Sequence, residues 1–441
     1  MSNQLKSHEQ LSTLTEWLCY LETIHFKEID LGLTRIKQVA ERLFIDFSFA
    51  QVITVAGTNG KGTTCAFLEN ALLNEGKTVA VYSSPHIEHF NERIRINQVD
   101  INDESLIIAF KQIEAVRGDI SLSYYEYTTL AAFLVLMSKK PQIIILEVGL
   151  GGRLDATNII DTNLAIITTI DIDHTSFLGN DRESIGAEKA GIMRTDTAVI
   201  IGDCHPPNSL INYGKAINAD IYIRNIDFSV SLNTSNMGSR QQTWCWSQPH
   251  IDLTELSYPY IPLDNVATAL MALRLLKIEL TSKKINDWIN ATKVAGRMEL
   301  FPFALNNKQN NKLRTCYDCD VILDVAHNPQ AARHLAKQLS YLPYTKIRAV
   351  VAMMADKDIE AAFLPLTEVI EQWYLGDLAI ERAAKSSVVA KNLLQLNQEY
   401  LCFDNIIDAF KMACKHSEAD ELVLVFGSFF TVAAIRPLLL S

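Results

Sequence analysis

The chain has 441 residues, enough for two or three domains with separate cores. Charged residues make up 21% and hydrophobic ones 48%, an ordinary globular balance. The net charge of −11 argues against a nucleic-acid partner and for anionic ligands captured at local sites.

The N-terminal MSNQLKSHEQ lacks the apolar core of a signal peptide, and the longest apolar stretches, such as Leu422 to Ile435, fall short of a membrane span. The eight cysteines are scattered, as suits a reducing compartment, so a cytoplasmic protein with no membrane contact is expected. Cys316 and Cys319 have C-x-x-C spacing but no second ligand pair nearby, and they precede a helix only through a strand. No chemical role is assigned to them.

Taken in order, Leu11 to Ile24 carries Leu14, Trp17, Leu18 and Leu21 at helical spacing. His25 to Leu33 reads as a loop, to which the residues alone assign nothing. Gln51 to Ala56 is a short β-branched run, a buried strand; Gly57 to Gly62 is a turn with three glycines and Lys61; Thr63 to Asn74 is an amphipathic helix. Strand, glycine turn and helix make the context of a phosphate-binding loop: glycines let the backbone approach a phosphate, and the helix N-terminus supplies N–H groups. The match to G-x-x-x-x-G-K-[ST] is imperfect. Val55 stands where the first glycine belongs, and Gly62 follows the lysine, so the hydroxyls come at Thr63 and Thr64. That departure predicts a phosphate hydrogen bond from Thr63 and leaves the metal to other ligands.

Thr78 to Tyr82 is a second strand, ending in Ser83, Ser84, Pro85 and His86. Ligands collect at the carboxyl ends of strands in open α/β sheets. Ser84 is therefore a magnesium ligand, a phosphate contact or a plain turn residue. Asp103 to Arg117 is a helix, and Ser123 to Glu126 precedes another at Tyr127 to Lys139. The tyrosines at that entrance could stack on a flat ring or form an aromatic cap. Gln142 to Val148 is the clearest buried strand, with Glu147 at its end and the glycine-rich GLGGRLDATN after it. A carboxylate there suits a magnesium-ordering acid. Leu164 to Ile170 is the next strand, followed by Asp171, Asp173 and His174; His174 reads as a metal ligand or a turn cap. Arg182 to Met193 is a helix on which Lys189 reads as a surface lysine.

Ala198 to Gly202 and Asp220 to Ile223 are further strands, and Phe228 to His250 loosens as a variable insertion does. Asp264 to Leu276 and Ser282 to Thr292 are helices. Val294 to Glu299 separates two rhythms, which places a boundary between residues 1–296 and 297–441. Beyond it, strands at Val321 to Val325, Lys346 to Ala352, Gln372 to Leu375 and Leu422 to Phe426 alternate with helices. The expected fold is α/β throughout: an N-terminal P-loop ATPase-like domain with a mostly parallel sheet, and a smaller C-terminal Rossmann-like domain.

GTNGKGTT, YSSPH, LEVGLGGRLDATN, DHTSFLG, ESIGAEKAGI, DNVATAL, AGRME, LDVAHNP and GSF occur in that order, from about Leu11 to Leu438. In these motifs the chain closely resembles the bifunctional dihydrofolate synthase/folylpolyglutamate synthase family, amide ligases related to the Mur ligases. The resemblance implies that ATP phosphorylates a folate-precursor carboxylate and that L-glutamate then displaces phosphate. It implies ATP contacts at Thr58, Asn59, Gly60, Lys61, Gly62, Thr63, Asn265, Arg297, Asp324 and His327. Ser84 and Glu147 would bind one Mg2+ and His174 a second, with Lys61, Glu147, His174 and Lys189 as the catalytic set. Lys189 matches the position of an N6-carboxylysine.

Substrate contacts would come from Glu28, Ile29, Asp30 and Leu31, from Ser123, Tyr124, Tyr125 and Glu126, and from Leu154, Asp155 and Ala156. The SYYEY segment resembles the bifunctional type, which takes dihydropteroate as well as reduced folates; a folylpolyglutamate synthase alone is the alternative. Tyr125 departs from the bacterial pattern, which has phenylalanine there. The resemblance also implies ATP between two lobes and a monomer. A Mur ligase for nucleotide-linked precursors would need an extra domain ahead of the phosphate loop, and a GTPase would need an N-K-x-D motif that this chain lacks. A nonenzymatic descendant of the fold would not be expected to keep Lys61, Glu147, His174 and Asp324.

Overall fold

The computed structural model describes residues 10–25, 30–233, 242–303 and 319–440. Two compact units emerge, the first made of Met1–Ser231, Cys245–Leu256 and Asp264–Ala291, the second of Leu232–Trp244, Ser257–Leu263 and Thr292–Ser441.

The first unit is built on strands β1 (Gln51–Ala56), β2 (Val79–Tyr82), β3 (Ile94–Ile96), β4 (Val99–Asp100), β5 (Ile143–Glu147), β6 (Leu164–Ile167), β7 (Ala198–Ile201) and β8 (Asp220–Ile223). They form one sheet in the order β4-β3-β2-β5-β1-β6-β7-β8. Its six longer strands are parallel, and β3 and β4 add an antiparallel edge. β1 is central because its residues Val52 to Ala56 are buried between layers of helices on both faces. On one face, Val52, Tyr82, Ile144 and Leu146 pack against Trp17, Phe110, Leu130 and Phe133 from the helices Leu14–Leu21, Asp103–Arg117 and Tyr124–Lys139. Farther along that same face, Ala56, Ile167, Val199 and Ile201 pack with Ile185, Ile192 and Leu210, while the helix Lys61–Asn74 covers β1, β2 and β5 from the opposite face.

The second unit contains a six-stranded sheet. Its strands are β12 (Glu299–Phe301), β13 (Asp320–Leu323), β14 (Ile347–Val351), β15 (Gln372–Gly376), β16 (Tyr400–Phe403) and β17 (Leu422–Phe426), ordered β12-β13-β17-β14-β15-β16. Only β12 runs antiparallel. Its core gathers Leu335, Phe363, Trp373, Leu375 and Phe426.

Several elements differ from expectation. The helix expected over Leu11 to Ile24 spans only Leu14–Leu21, because Thr13 and Glu16 form a capping box that fixes its start. The helix Thr34–Arg42 was not anticipated. Phe228 to His250, expected to be a loose insertion, contains β9 (Ser229–Leu232) and β10 (Thr243–Gln248), which join β11 (Ile251–Ser257) in a three-stranded sheet. Trp246 on β10 is fully buried, and its indole N–H donates to the Ala267 carbonyl at 3.1 Å. Among the described residues, no helix is long and apolar enough to cross a membrane.

Candidate active site

The phosphate loop leaves β1 at Ala56, and the helix Lys61–Asn74 follows with Gly60 as its N-cap. Gly60 has φ +89°, a conformation that disfavours any side chain, and a Cβ there would lie 2.4 Å from the Asn265 Oδ1. The helix starts at Lys61, two residues earlier than the periodicity predicts, so the N–H groups of Lys61, Gly62 and Thr63 fall in its first turn. Neighbouring chain holds the loop. The Thr58 N–H donates to the Thr169 carbonyl at 2.7 Å, and the Thr168 hydroxyl donates to the Asn59 carbonyl at 2.6 Å. The Thr58 hydroxyl accepts from the Asp171 N–H and donates to the Asp171 carbonyl, each at 3.0 Å.

The Thr63 hydroxyl is taken up by partners within the protein. It donates to the Gly60 carbonyl at 3.0 Å and accepts from the Asn265 Nδ2 at 2.7 Å. Asn265 is buried and packs beneath Gly60. In this structure, both residues brace the loop from within the protein.

A small cleft opens beside the loop, lined among others by Gly57, Thr58, Lys61, Asp173, His174 and Lys189. Lys61 and Lys189 each donate to the Gly57 carbonyl at 3.0 Å. Lys189 is only 3% exposed, which corrects the reading of it as a surface lysine. Its helix, Arg182–Ala190, turns that face inward, and Gly152 packs close enough that a Cβ there would lie 3.0 Å from the Lys189 Cα. Burial, and then the charge of Lys61, lower the Lys189 pKa to about 7, against weaker pulls from Asp173 and Asp155. His174 follows β6 with φ +52°, capping the short helix Thr175–Leu178.

Glu147 ends β5 opposite Val55 and is 6% exposed. It sits beside the loop: a Cβ at Gly62 would lie 3.7 and 3.8 Å from its two carboxylate oxygens. Glu147 and His174 therefore flank β1 on opposite sides, after β5 and β6. Among the described residues, no three His, Cys, Asp or Glu side chains are already gathered as a metal cluster. Ser84 follows β2.

Ser123 caps the helix Tyr124–Lys139 in a capping box with Glu126, so Tyr124, Tyr125 and Glu126 lie in its first turn rather than before it. Tyr125 is stacked at 6.3 Å on Tyr82, and its hydroxyl lies 3.5 Å from the Asp155 Oδ1. Burial, then the Asp155 charge, hold the Tyr125 phenol well above its ordinary pKa. Asp155 accepts from the Leu150 and Thr157 N–H groups, and burial raises its pKa against these bonds. Leu154 precedes it and Ala156 opens a buried 3-10 turn. Asp30 and Leu31 are described, whereas Glu28 and Ile29 lie outside the described residues, as does Cys316. Its partner in the C-x-x-C spacing, Cys319, is buried.

In the second unit, Asp324 follows β13 and accepts from the Ala326 N–H at 2.8 Å and the Met298 N–H at 2.9 Å. The Arg297 guanidinium lies 5.8 Å over the Phe429 ring, and the His327 ring is 6.4 Å from the same phenylalanine. Phe429 went unnoticed in the sequence; the available signal was its place in GSF.

Two family models match, the Mur ligase middle domain over residues 55–276 and the Mur ligase glutamate ligase domain over residues 307–429. A Haemophilus influenzae dihydrofolate synthase/folylpolyglutamate synthase is 40% identical, with 96% of each chain covered. The Escherichia coli protein of the same name is 39% identical, covering 98% of this chain and 96% of that one. The structure of E. coli FolC in complex with DHPP and ADP superposes with a TM-score of 0.86, at 39% identity and 97% of each chain. The structure of a bifunctional folylpolyglutamate synthase/dihydrofolate synthase with Mn, AMPPNP and L-glutamate bound also gives 0.86, at 39% identity over 99% of this chain and all of that one. With motifs, topology and full-length likeness in agreement, this chain belongs to the dihydrofolate synthase/folylpolyglutamate synthase family of Mur ligases.

Proposed function

We propose that this chain is an ATP-dependent ligase that joins L-glutamate to dihydropteroate, forming dihydrofolate, and adds further glutamates to reduced folates. The observation that carries the reading is the meeting of Lys61 and Lys189 at the Gly57 carbonyl, in a cleft that His174 also lines. A carboxylate is a poor electrophile because its leaving group would be oxide. Its oxygen attacks the γ-phosphorus of ATP and ADP leaves, giving an acyl phosphate. The glutamate nitrogen then attacks the carbonyl carbon, loses a proton and expels phosphate. Charge accumulates on phosphoryl oxygens in the first step, and Lys61 with the first-turn N–H groups of its helix answers it.

Ser84, Glu147 and His174 would hold two Mg2+ ions. The fit is chemical: a hydroxyl and a carboxylate after β2 and at the end of β5, and an imidazole in the loop after β6, suit ions completed by water and phosphate oxygens. Gly62 has no side chain to cover the Glu147 carboxylate. Such ions would neutralise the transferring phosphoryl group. Burial brings the Lys189 pKa down to about 7, so a sizeable share of it is neutral at physiological pH. Its nitrogen lone pair can add to CO2 and release a proton, leaving an anionic N6-carboxylysine. The pterin would meet Asp30–Leu31, Ser123–Glu126 and Leu154–Ala156, while Asn265, Arg297, Asp324 and His327 would serve ATP. Residues 1–296 form the ATP- and pterin-binding domain and 297–441 the glutamate ligase domain of a cytoplasmic monomer.

The test is ADP release with dihydropteroate plus glutamate, and separately with a reduced folate plus glutamate. Turnover in both is expected. Turnover only with the reduced folate would leave a folylpolyglutamate synthase, and turnover with neither would overturn the proposal.

A further inference from the structure

Arg35 is absent from every motif above, yet it joins two of the three segments assigned to the pterin. It lies in the first turn of the helix Thr34–Arg42. Its Nη1 is 2.6 Å from the Asp30 Oδ2, and its Nη2 donates to the Asp30 carbonyl at 3.0 Å. The same Nη2 reaches the Glu126 Oε1 at 3.2 Å and Oε2 at 3.3 Å, with Nε at 3.4 Å from Oε2. Glu126 is 4% exposed and already accepts from the Ser123 N–H at 2.8 Å. His25 supports Asp30 from the other side: its Nε2 is 3.3 Å from the Asp30 Oδ2 and its Nδ1 is 2.7 Å from the Ser121 Oγ.

We propose that Arg35 is a positioning residue for the pterin substrate, fixing the Asp30–Leu31 segment against the Ser123–Glu126 helix start by bridging Asp30 and Glu126. The inference rests on the assignment of those segments to the pterin. Two carboxylates brought close in a half-buried site repel each other, and a planar guanidinium can satisfy both at once. An ammonium, being a point charge, cannot reproduce that fork. Without the bridge, Glu126 stays in its capping box while Asp30 loses its tie to the start of that helix, which loosens the pterin contact without touching the phosphate loop.

Steady-state kinetics on Arg35→Met and Arg35→Lys test this, with Arg42→Met as control. Arg42, on the same helix, donates to the Val116 and Arg117 carbonyls, both at 2.8 Å, and so anchors the helix without touching Asp30 or Glu126. Losing charged hydrogen bonds of this kind predicts about a tenfold or larger rise in KM for dihydropteroate in Arg35→Met, with KM for ATP and kcat nearly unchanged. Arg35→Lys keeps the charge and the fold, and is expected to raise the same KM by a smaller factor. The control should leave it unaltered. An unchanged dihydropteroate KM in Arg35→Lys, a parallel rise in KM for ATP, or an equal effect in Arg42→Met would overturn the inference. A wild-type enzyme inert towards dihydropteroate would instead overturn the functional reading, and the inference would fall with it.

Discussion

Lys189 and Lys61 donate to one and the same acceptor, the Gly57 carbonyl, each at 3.0 Å. Two ammonium groups sharing one oxygen in a buried site cannot both hold their charge cheaply, and Lys189, the more deeply buried, is the one whose pKa falls to about 7.

That shift has a definite sign in stability. The ordinary lysine pKa is 10.5 and the folded one about 7, so between those values the unfolded chain binds the extra proton. Stability contributed by Lys189 therefore rises with pH across this window and is lost as pH falls towards 7. The slope is about 1.4 kcal/mol per pH unit for one proton. In CO2-free buffer, urea unfolding at two pH values inside the window should show it. Lys189→Met should abolish that part of the slope; an identical slope in the variant would contradict the buried, neutral lysine.

Carboxylation of Lys189 predicts that Lys189→Ala loses most activity and regains part of it with short-chain carboxylic acids, which return an anionic oxygen to the cavity. Full activity of the variant without added acid would show that the lysine does no chemistry. The intact wild-type protein should also carry a mass increase of one CO2 when prepared in bicarbonate.

Glu147→Gln removes one negative charge at the end of β5 and almost no volume. Turnover should drop by at least about a hundredfold, as for a lost metal ligand, while the unfolding midpoint stays close to wild type. Turnover near the wild-type rate would remove Glu147 from the metal site.

Gly60→Ala combines a left-handed backbone with a direct collision on Asn265. The strain alone should cost about 1–2 kcal/mol, and displacement of Asn265 releases its bond to Thr63. KM for ATP is expected to rise along with the loss of stability. An alanine variant with wild-type ATP kinetics would mean that the loop tolerates the shift.

Tyr125→Phe keeps the ring and removes a hydroxyl that lies 3.5 Å from the Asp155 Oδ1. Because the Asp155 carboxylate already accepts three shorter hydrogen bonds from Leu150 and Thr157, the cost should be within about 1 kcal/mol. Dihydropteroate turnover should be kept, and calorimetric unfolding beside an ADP-release assay checks both. A large loss of pterin affinity would mean that the hydroxyl orients Asp155.

The phosphate loop was legible in the chain because its parts are neighbours: a β-branched run, three glycines, a lysine and a helical stripe within Gln51–Gly76. The two α/β sheets were legible for the same reason, since strand and helix periods are local. Phe228 to His250 reads as loose because its short apolar pieces are broken by polar residues, and the burial of Trp246 depends on distant groups such as the Phe228 ring and the Ala267 carbonyl. Lys189 lies 132 residues from Gly57, and a helical lysine between Glu188 and Ala190 carries no local sign of burial. Arg35 reaches Glu126 across 91 residues, and Thr63 meets Asn265 across 202. Local sequence thus determined which elements form and which family they compose. Tertiary packing alone decided which lysine loses its proton, which hydroxyl is spent inside the loop and which arginine holds two carboxylates together, because desolvation and charge pairing depend on groups that meet only after folding.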